Sequence, residues 1–278
     1  MKVKIIGLAA LVVVGLAALS WGDGAQDAYN EALKLHRAGK IKEAIAAYDK
    51  AIKANPRLAE AFVGRGEAYV KLGQPERAIK DQDQAIKLNP KLSGAYYYRA
   101  NAYDELKQHE RAIKDYGEVI RLDAKNSNAY RQRGSAYYGL GQFDKAIQDF
   151  TEAVRLDPKD AGAYYERGLA QRRLGRRERA VEDYTMALSL NPKNAEIYSN
   201  RANAYSLLGE YDRALQDYGA ALKIDPRNAR IYANRGFVLL SLGKNAEAEK
   251  DFKKSFELDP SLKQILEPMI GATSPPAK

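Results

Sequence analysis

Six arginines recur at intervals of 34 residues, and an aspartate follows each of them sixteen residues later. The arginines are Arg65, Arg99, Arg133, Arg167, Arg201 and Arg235, and the aspartates are Asp81, Asp115, Asp149, Asp183, Asp217 and Asp251. A guanidinium can hold a carboxylate through two parallel hydrogen bonds, so this spacing favours six structural ion pairs. The segment before Arg65 has Glu31 and Ala47 at the two positions, so both partners are missing together. The alternative is a ladder of arginines that binds phosphate or carboxylate ligands.

Side chains that could perform catalysis are scarce. The chain has no cysteine and only two histidines, His36 and His109, which we expect to be solvated. Neither a glycine-rich phosphate loop, nor a cluster with metal-ligand spacing, nor a nucleophile with a base and an acid is recognisable. We therefore expect no enzyme activity, no catalytic residues, no cofactor, no metal site and no small-molecule substrate.

The charge of the chain raises the possibility of an anionic partner. The net charge is +9, from 45 lysines and arginines against 36 aspartates and glutamates. Because the two signs are mixed along the chain, a solvated surface of helices explains the composition without a nucleic acid. A basic repeat protein that binds nucleic acid or another polyanion remains the alternative function.

The N-terminal residues resemble an export signal. Lys2 and Lys4 precede an apolar run over residues 5–19, and small residues allow cleavage before Trp21. Residues 1–20 are thus predicted to be a signal peptide or an N-terminal membrane anchor, followed by a linker at 21–24. If the segment is not cleaved, membrane contact is confined to residues 5–21. The remainder is expected outside the cytoplasm, in a bacterial periplasm or anchored to the inner membrane and facing it.

The elements that carry the arginines follow a repeat of 34 residues. Seven repeats occupy 25–58, 59–92, 93–126, 127–160, 161–194, 195–228 and 229–262. The fourth and eleventh positions are mostly large and the eighth is always alanine or glycine, which defines one face of a helix. A second helix is predicted from an alanine at the twentieth position and, in all repeats but one, an aromatic ring at the twenty-fourth. Thirteen of the 19 tyrosines occupy the fourth, eleventh and twenty-fourth positions, where we expect them to be core.

Each repeat also contains residues that end and begin helices. Glycine stands where a left-handed residue would end the first helix, with Lys107 as the exception. Proline follows the second helix in six repeats. An asparagine or aspartate that can cap the next helix follows at Asn126, Asp160, Asn194 and Asn228.

This pattern of aromatic, small residue, glycine, alanine and proline resembles the tetratricopeptide repeat, and it covers residues 25–262. The resemblance implies an all-α fold, a right-handed superhelix of about seven helix hairpins whose first helices line a concave groove. A capping helix is expected at 263–270 and a disordered tail at 271–278.

The resemblance also implies which residues face the groove. Applied to the middle of the array, the family's groove positions are Tyr97, Asn101, Asp104, Asn128, Arg131, Ser135, Tyr138, Tyr165, Arg172 and Arg173. The family's carboxylate clamp for chaperone C-termini is not expected, because the first repeat has Tyr29 and Leu33 where lysine and asparagine are required. The expected function is an exported scaffold that binds partner proteins or peptides in the groove, in the assembly of a cell-envelope complex.

Overall fold

The computed structural model of the chain describes residues 24–273. The predicted signal peptide or anchor, residues 21–23 of the predicted linker and residues 274–278 of the predicted tail lie outside the described residues. The described part contains helices joined by short turns and no strand, so the prediction of an all-α fold is confirmed. It divides into two compact units, of which the first ends at Leu140 and the second begins at Gly141.

Fifteen helices lie within residues 24–273, and the first helix of each repeat is odd-numbered. The first unit contains α1 (24–37), α2 (Ile41–Ala54), α3 (Ala59–Lys71), α4 (Pro75–Leu88), α5 (Ser93–Glu105), α6 (His109–Leu122) and α7 (Ser127–Gly139). The second contains α8 (Phe143–Leu156), α9 (Ala161–Arg173), α10 (Arg177–Leu190), α11 (Ala195–Leu207), α12 (Tyr211–Ile224), α13 (Ala229–Ser241), α14 (Asn245–Leu258) and α15 (Ser261–Thr273). Within each unit, consecutive helices pack against each other.

Glycines with positive φ separate the first and second helices of most repeats. The backbone adopts positive φ at Gly39, Gly73, Gly141, Gly175, Gly209 and Gly243. After α3, for example, the amide of Gln74 donates to the carbonyl of Tyr69 at 2.9 Å, which closes the end of the helix. Lys107 takes the same position with φ of 59°, a conformation that is strained for a residue with a side chain. The predicted left-handed positions are therefore confirmed, including the exception.

The core of each unit lies between the paired helices. The alanine at the twentieth position is fully buried in every repeat, at Ala44, Ala78, Ala112, Ala146, Ala180, Ala214 and Ala248. The eighth position is small because the twenty-fourth side chain occupies the space beside it. A Cβ added at Gly168 would approach the Tyr184 ring to 2.7 Å, and one at Gly236 would approach Phe252 to 2.9 Å. Small and large residues therefore alternate as the helix packing requires.

Caps at the starts of four first helices follow the prediction. Side-chain oxygens of Asn126, Asp160, Asn194 and Asn228 accept hydrogen bonds from backbone amides in the first turn of α7, α9, α11 and α13. These bonds satisfy amides that have no partner inside the helix.

The last helix is longer than predicted. The sequence predicts a capping helix at 263–270, whereas α15 runs from Ser261 to Thr273 with Pro268 inside. Residues 271–273, predicted as the start of a disordered tail, are helical. A proline removes one backbone hydrogen bond but its fixed φ is compatible with a helix, so the helix can continue. Between residues 24 and 273, no helix combines the length and apolar character needed to cross a membrane.

Candidate functional site

The repeated arginines form ion pairs with the aspartates of the same helix hairpin. Arg65 Nε donates to Asp81 Oδ2 at 2.8 Å, and its Nη2 donates to Asp81 Oδ1 at 2.6 Å. The same two-bond arrangement joins Arg99 to Asp115, Arg201 to Asp217 and Arg235 to Asp251. Arg167 Nε lies 3.1 Å from both carboxylate oxygens of Asp183, and its Nη2 donates to Oδ1 at 2.6 Å. Five of the six predicted pairs are thus present. The sixth, Arg133 with Asp149, combines residues of the two units and stays a prediction.

An aromatic ring at the fourth position lies beside each guanidinium of the five pairs, and a second ring at the eleventh position lies beside Arg65, Arg99 and Arg201. The Arg201 guanidinium carbon lies 5.7 Å from the centre of the Tyr198 ring and 5.8 Å from that of Tyr205. Both tyrosines are half-buried, whereas the ring at the twenty-fourth position, such as Tyr218, is fully buried. Most tyrosines at the fourth and eleventh positions are therefore less buried than predicted, but their rings pack against the core clusters as expected. Their rings shield a charged group by cation–π contact as well as filling space.

A further contact links four of the arginines, Arg65, Arg99, Arg167 and Arg201, to the preceding repeat, and sequence reasoning missed it. Arg65 Nη1 donates to Asp49 Oδ1 at 2.6 Å, and Arg99 Nη1 donates to Asp83 Oδ1 at 2.6 Å. In the second unit the acceptor is a hydroxyl, as when Arg201 Nη1 donates to Thr185 Oγ1 at 3.0 Å. In these four cases the acceptor occupies the twenty-fifth position of the preceding repeat, whereas Arg235 has Gly219 there. That position was the sequence feature that could have revealed the contact.

The electrostatics of these pairs argue against an arginine ladder for external anions. Hydrogen bonds from Arg65 to Asp81 raise the pKa of Arg65, although burial opposes the shift. Side chains of the paired aspartates are at most 9% exposed, so the carboxylates are held away from solvent. A phosphate or a partner's carboxylate would have to displace a buried carboxylate from each paired guanidinium, which is costly.

In the first unit, three of the predicted groove residues surround the buried ring of Tyr116. Its hydroxyl donates to Asn101 Oδ1 at 2.7 Å and to Asp104 Oδ2 at 3.1 Å. His109 Nδ1 lies 2.9 Å from Asp104 Oδ1, and the Tyr97 ring packs edge-on against Tyr116. Burial raises the pKa of Asp104, although His109 and Tyr116 oppose that shift. Tyr97, Asn101 and Asp104 are half-buried and support the hairpin.

The remaining predicted residues of the first unit lie on α7. Asn128 is exposed, whereas Arg131, Ser135 and Tyr138 are half-buried. The hydroxyl of Ser135 donates to the carbonyl of Arg131 at 3.0 Å. Nothing in this geometry assigns a ligand to the four residues, and their role in binding stays a prediction.

His36 differs from the expectation that both histidines are solvated. It is 9% exposed, its Nδ1 lies 3.3 Å from the Tyr48 hydroxyl, and Lys71 Nζ lies 2.9 Å from its Nε2. Burial lowers the pKa of His36, although the carboxylate of Glu67 opposes the shift. A lysine that donates to Nε2 requires the neutral imidazole, which agrees with this direction. His36, Tyr48, Glu67 and Lys71 border a cavity of about 490 Å³ that Tyr98 also lines.

In the second unit, Tyr165 and Arg172 of the predicted groove border residues that sequence reasoning did not select. Asn200 Nδ2 donates to the Tyr165 hydroxyl at 3.0 Å. Burial raises the pKa of Tyr165, and a hydrogen bond with Glu196 adds to the shift. Arg173 does not contact these residues. It is exposed, and its guanidinium carbon lies 5.4 Å from the centre of the Phe143 ring.

Two adjoining cavities open between the first helices of the second unit. The larger, about 590 Å³, is lined by α11 and α13 and includes Glu196, Ser199, Asn200, Asn203, Arg230 and Asn234. The smaller, about 290 Å³, is lined by Arg172, Ser206 and Phe237, and it shares Asn203 and Asn234 with the larger. The two asparagines are joined by a hydrogen bond from Asn234 Nδ2 to Asn203 Oδ1 at 3.2 Å. We call the surface formed by Asn200, Asn203 and Asn234 the asparagine face.

Family models match nearly the whole described part of the chain. Models described as TPR repeat match residues 34–73, 101–141, 134–175, 172–209 and 202–243. Models described as tetratricopeptide repeat match residues 59–92, 82–114 and 229–262. The chain belongs to the tetratricopeptide repeat family.

Solved structures of other tetratricopeptide repeat proteins resemble this chain. MamA from Desulfovibrio magneticus RS-1 is 26% identical, with coverage of 62% of this chain and 97% of that chain and a TM-score of 0.57. YrrB is 23% identical, with coverage of 65% and 93% and a TM-score of 0.57. A tetratricopeptide repeat protein from Parabacteroides merdae ATCC 43184 is 22% identical, with coverage of 91% and 99% and a TM-score of 0.63. No curated protein sequence matches significantly.

The asparagine face could have been found from the tetratricopeptide numbering. Asn203 occupies the ninth position of its repeat, one of the groove positions already used for the middle of the array. Asn200 and Asn234 occupy the sixth position of successive repeats, beside the arginine of the ion pair. The sequence therefore contained these positions, but they belong to the sixth and seventh repeats. The groove positions were applied only to the third, fourth and fifth repeats.

Proposed function

We propose that this tetratricopeptide repeat protein is a non-catalytic scaffold that binds an extended segment of a partner protein on the asparagine face. The observation that carries the proposal is the pair of adjoining cavities, about 590 and 290 Å³, which share Asn203 and Asn234. Together they offer a polar path along α11 and α13.

Asparagine suits the recognition of an extended backbone. Asn200 Nδ2 already donates to the Tyr165 hydroxyl and the Glu196 carbonyl, and Asn203 Oδ1 already accepts two hydrogen bonds. Asn200 Oδ1 therefore remains an acceptor for a peptide N–H, and Asn203 Nδ2 remains a donor for a peptide C=O. An extended segment needs such partners, because its backbone groups lose water when it is bound. Half-buried side chains are also partly ordered before binding, which reduces the entropy lost on association.

The comparisons support peptide binding at the level of the fold. YrrB is described as a tetratricopeptide repeat protein with an unusual peptide-binding site. Its likeness to this chain concerns the fold, so we infer binding from the residues of the asparagine face.

We also propose that the scaffold acts outside the cytoplasm, in the assembly of a cell-envelope complex. The support is the N-terminal sequence, in which Lys2 and Lys4 precede the apolar run 5–19. Fractionation of cells that produce the full chain, followed by N-terminal sequencing, tests this proposal. Recovery of the intact chain in the cytosolic fraction would contradict it.

Site-specific photo-crosslinking tests the binding proposal. A photoreactive residue at Ser199, within the larger cavity, should crosslink a defined partner segment in cells. The same residue at Glu182, exposed on α10, is the control and should not give that product. Combined Asn200→Ala and Asn234→Ala substitutions should abolish the Ser199 product, whereas Asn191→Ala at an exposed turn should not. Identical products from Ser199 and Glu182, or no loss in the double variant, would reject the asparagine face as the binding site.

A further inference from the structure

Three contacts recur between successive repeats, and each joins a fixed pair of positions. The third position of a repeat packs against the twenty-seventh of the repeat before it, as Ile231 shares a core cluster with Ala221. The tenth position packs against the twenty-first, as Val181 packs against the cluster that contains Ala204. The seventh position reaches the twenty-fifth through the third hydrogen bond of the arginines described above. These pairs define the junction at which a first helix meets the preceding second helix.

The first repeat departs from the common residues at its three junction positions. Its third, seventh and tenth positions are Asp27, Glu31 and Lys34, and all three are exposed on α1. The six later repeats have alanine or a larger aliphatic residue at the third and tenth positions and arginine at the seventh. α1 therefore presents charged side chains where the later first helices bury aliphatic ones.

The seventh repeat departs at the three matching positions of α14. Its twenty-first and twenty-fifth positions are Glu249 and Lys253, which are exposed, and its twenty-seventh is Ser255. The six earlier repeats have isoleucine, valine or leucine at the twenty-first position and alanine or valine at the twenty-seventh. Their twenty-fifth position is aspartate, threonine or glycine. Ser255 is fully buried, and its hydroxyl has no hydrogen-bond partner among the described residues.

Two pairs of these departures are complementary in charge. If α1 of one copy packed on α14 of another as a first helix packs on the preceding second helix, Glu31 would meet Lys253. In the same arrangement Lys34 would meet Glu249. At the junctions inside the chain the cation belongs to the first helix at one pair, and the other pair is apolar. Opposite charges at both pairs favour this arrangement, since charge complementarity orients two surfaces and fixes their register.

Two further pairs match in hydrogen bonding and in size. Asp27 would face Ser255, whose unpartnered hydroxyl can donate to the carboxylate. The fourth and twenty-eighth positions also belong to shared clusters at the junctions inside the chain. At the fourth, α1 has Ala28 where the later repeats have phenylalanine or tyrosine, and at the twenty-eighth α14 has Phe256 where the earlier repeats have isoleucine, valine or leucine. A small residue would thus face a large one, which keeps the packed volume similar.

The helix that covers α14 in this structure fits it poorly. α15 has Ile265 at what would be the third position of an eighth repeat, and this side chain is 61% exposed. Ile231, at the third position of the seventh repeat, is 3% exposed. A cavity of about 710 Å³ lies beside α14 and α15, and Phe252, Phe256 and Ile270 line it. α15 therefore leaves apolar surface of the seventh repeat open.

We propose that α1 of a second copy docks on α14 in place of α15, so that copies of this chain stack head to tail. The occupant is a second copy because the open face continues the interface between repeats, and α1 has the residues that complement it. Docking on any other second helix is disfavoured, since Lys34 would then meet an aliphatic residue and Glu31 would meet no cation. The contact uses different surfaces of the two copies, so it can extend into a filament or close into a ring.

Crosslinking between two differently tagged full-length copies tests the inference. The chain has no cysteine, so single reporter thiols can be introduced without background. Lys34→Cys in one purified copy and Glu249→Cys in the other, mixed in a mild detergent with a short bismaleimide, should give a product with both tags. Glu182→Cys, exposed on α10, replaces Glu249→Cys in the control and should not give it. Efficient crosslinking between two Glu249→Cys copies instead would indicate a symmetric contact and overturn the stacking.

Charge exchange at the second pair tests the register. With the reporters in place, Glu31→Lys in the first copy should lower the yield roughly tenfold, because two ammonium groups then face each other. Lys253→Glu in the second copy should restore the yield. Lys254→Glu makes the same change of charge at an exposed neighbour and should not restore it. Failure of Lys253→Glu to restore the yield, or equal rescue by Lys254→Glu, would overturn the proposed contact.

Variants of α15 test whether α1 takes its place. Ile270 packs against the core cluster that contains Phe252, so Ile270→Glu should release α15 and raise the yield of the product with both tags. Ile265→Glu changes an exposed side chain of the same helix and should leave the yield unchanged. An unchanged or lower yield with Ile270→Glu would overturn the exchange. These outcomes are independent of the proposed peptide binding, because none of the substituted residues belongs to the asparagine face.

Discussion

The ion pair between Arg201 and Asp217 allows the strongest test of the energetics. Arg201 Nε and Nη2 donate to Asp217 at 2.7 and 2.9 Å, and the Asp217 side chain is only 9% exposed. Substitution Arg201→Leu keeps packing against the Tyr198 and Tyr205 rings but leaves a buried carboxylate without its cation. Breaking a buried pair in this way costs about 3–5 kcal/mol. We expect a loss of about 3 kcal/mol, because Arg201 is 16% exposed and water can reach the vacated site.

A double-mutant cycle isolates the interaction itself. Asp217→Asn removes the charge and should cost about 1–2 kcal/mol, while the double variant should lose less than the sum by about 1–3 kcal/mol. The assay is urea unfolding followed by far-ultraviolet circular dichroism. The control is the cycle at Arg213 and Glu210, an ion pair of 2.6 Å whose side chains are 65% and 40% exposed. Its coupling should stay below about 0.5 kcal/mol. Strictly additive losses at Arg201 and Asp217 would refute the pairing.

Three further predictions concern single positions. Lys107→Gly should stabilise the chain by about 0.5–1 kcal/mol, because glycine adopts a positive φ without steric strain. The greater flexibility of glycine in the unfolded chain offsets part of this gain. Gly168→Ala should destabilise it by about 1–3 kcal/mol, because the new Cβ would lie 2.7 Å from the Tyr184 ring. The stability contributed by neutral His36 should be lost as pH falls below about 6.5, because burial lowers its folded pKa and the unfolded chain binds the proton first. Urea unfolding measures all three.

Matched variants keep these predictions open to refutation. Lys40→Gly, at a turn residue with negative φ, should not stabilise the chain; equal gains at Lys40 and Lys107 would remove the strain argument. Gly219→Ala, which has free space around its Cβ, is the control for Gly168. His36→Gln should flatten the difference between pH 7 and pH 5 relative to the parent chain; an unchanged pH profile would contradict the assignment of the effect to His36.

The sequence predicted the features of each hairpin well because their causes are local. Positive φ at the glycines, burial of the alanines and the caps at Asn126 and Asp160 depend on residues a few positions apart. The arginine pairs join residues sixteen positions apart, within one hairpin, and their joint absence from the first repeat was visible without coordinates. A repeated pattern also provides several independent examples of each position.

Contacts between repeats were predicted less well because they depend on how the hairpins stack. The third hydrogen bond of Arg65, to Asp49, and the burial of His36 beside Lys71 both join neighbouring repeats. The asparagine face likewise needs α9, α11 and α13 to be adjacent before Tyr165, Asn200 and Asn234 can be related.

The amino-acid sequence by itself determined the helix pairs, their turns and the ion pair inside each hairpin, since each follows from side chains at fixed short separations. Tertiary structure alone decided which polar groups remain without a partner. Arg172 and Arg201 are both arginines of a first helix, but a carboxylate lies opposite Arg201, whereas Arg172 lines a cavity that has no carboxylate in its wall. That difference arises because hydrogen-bonding capacity depends on every neighbour in space, including those from other repeats.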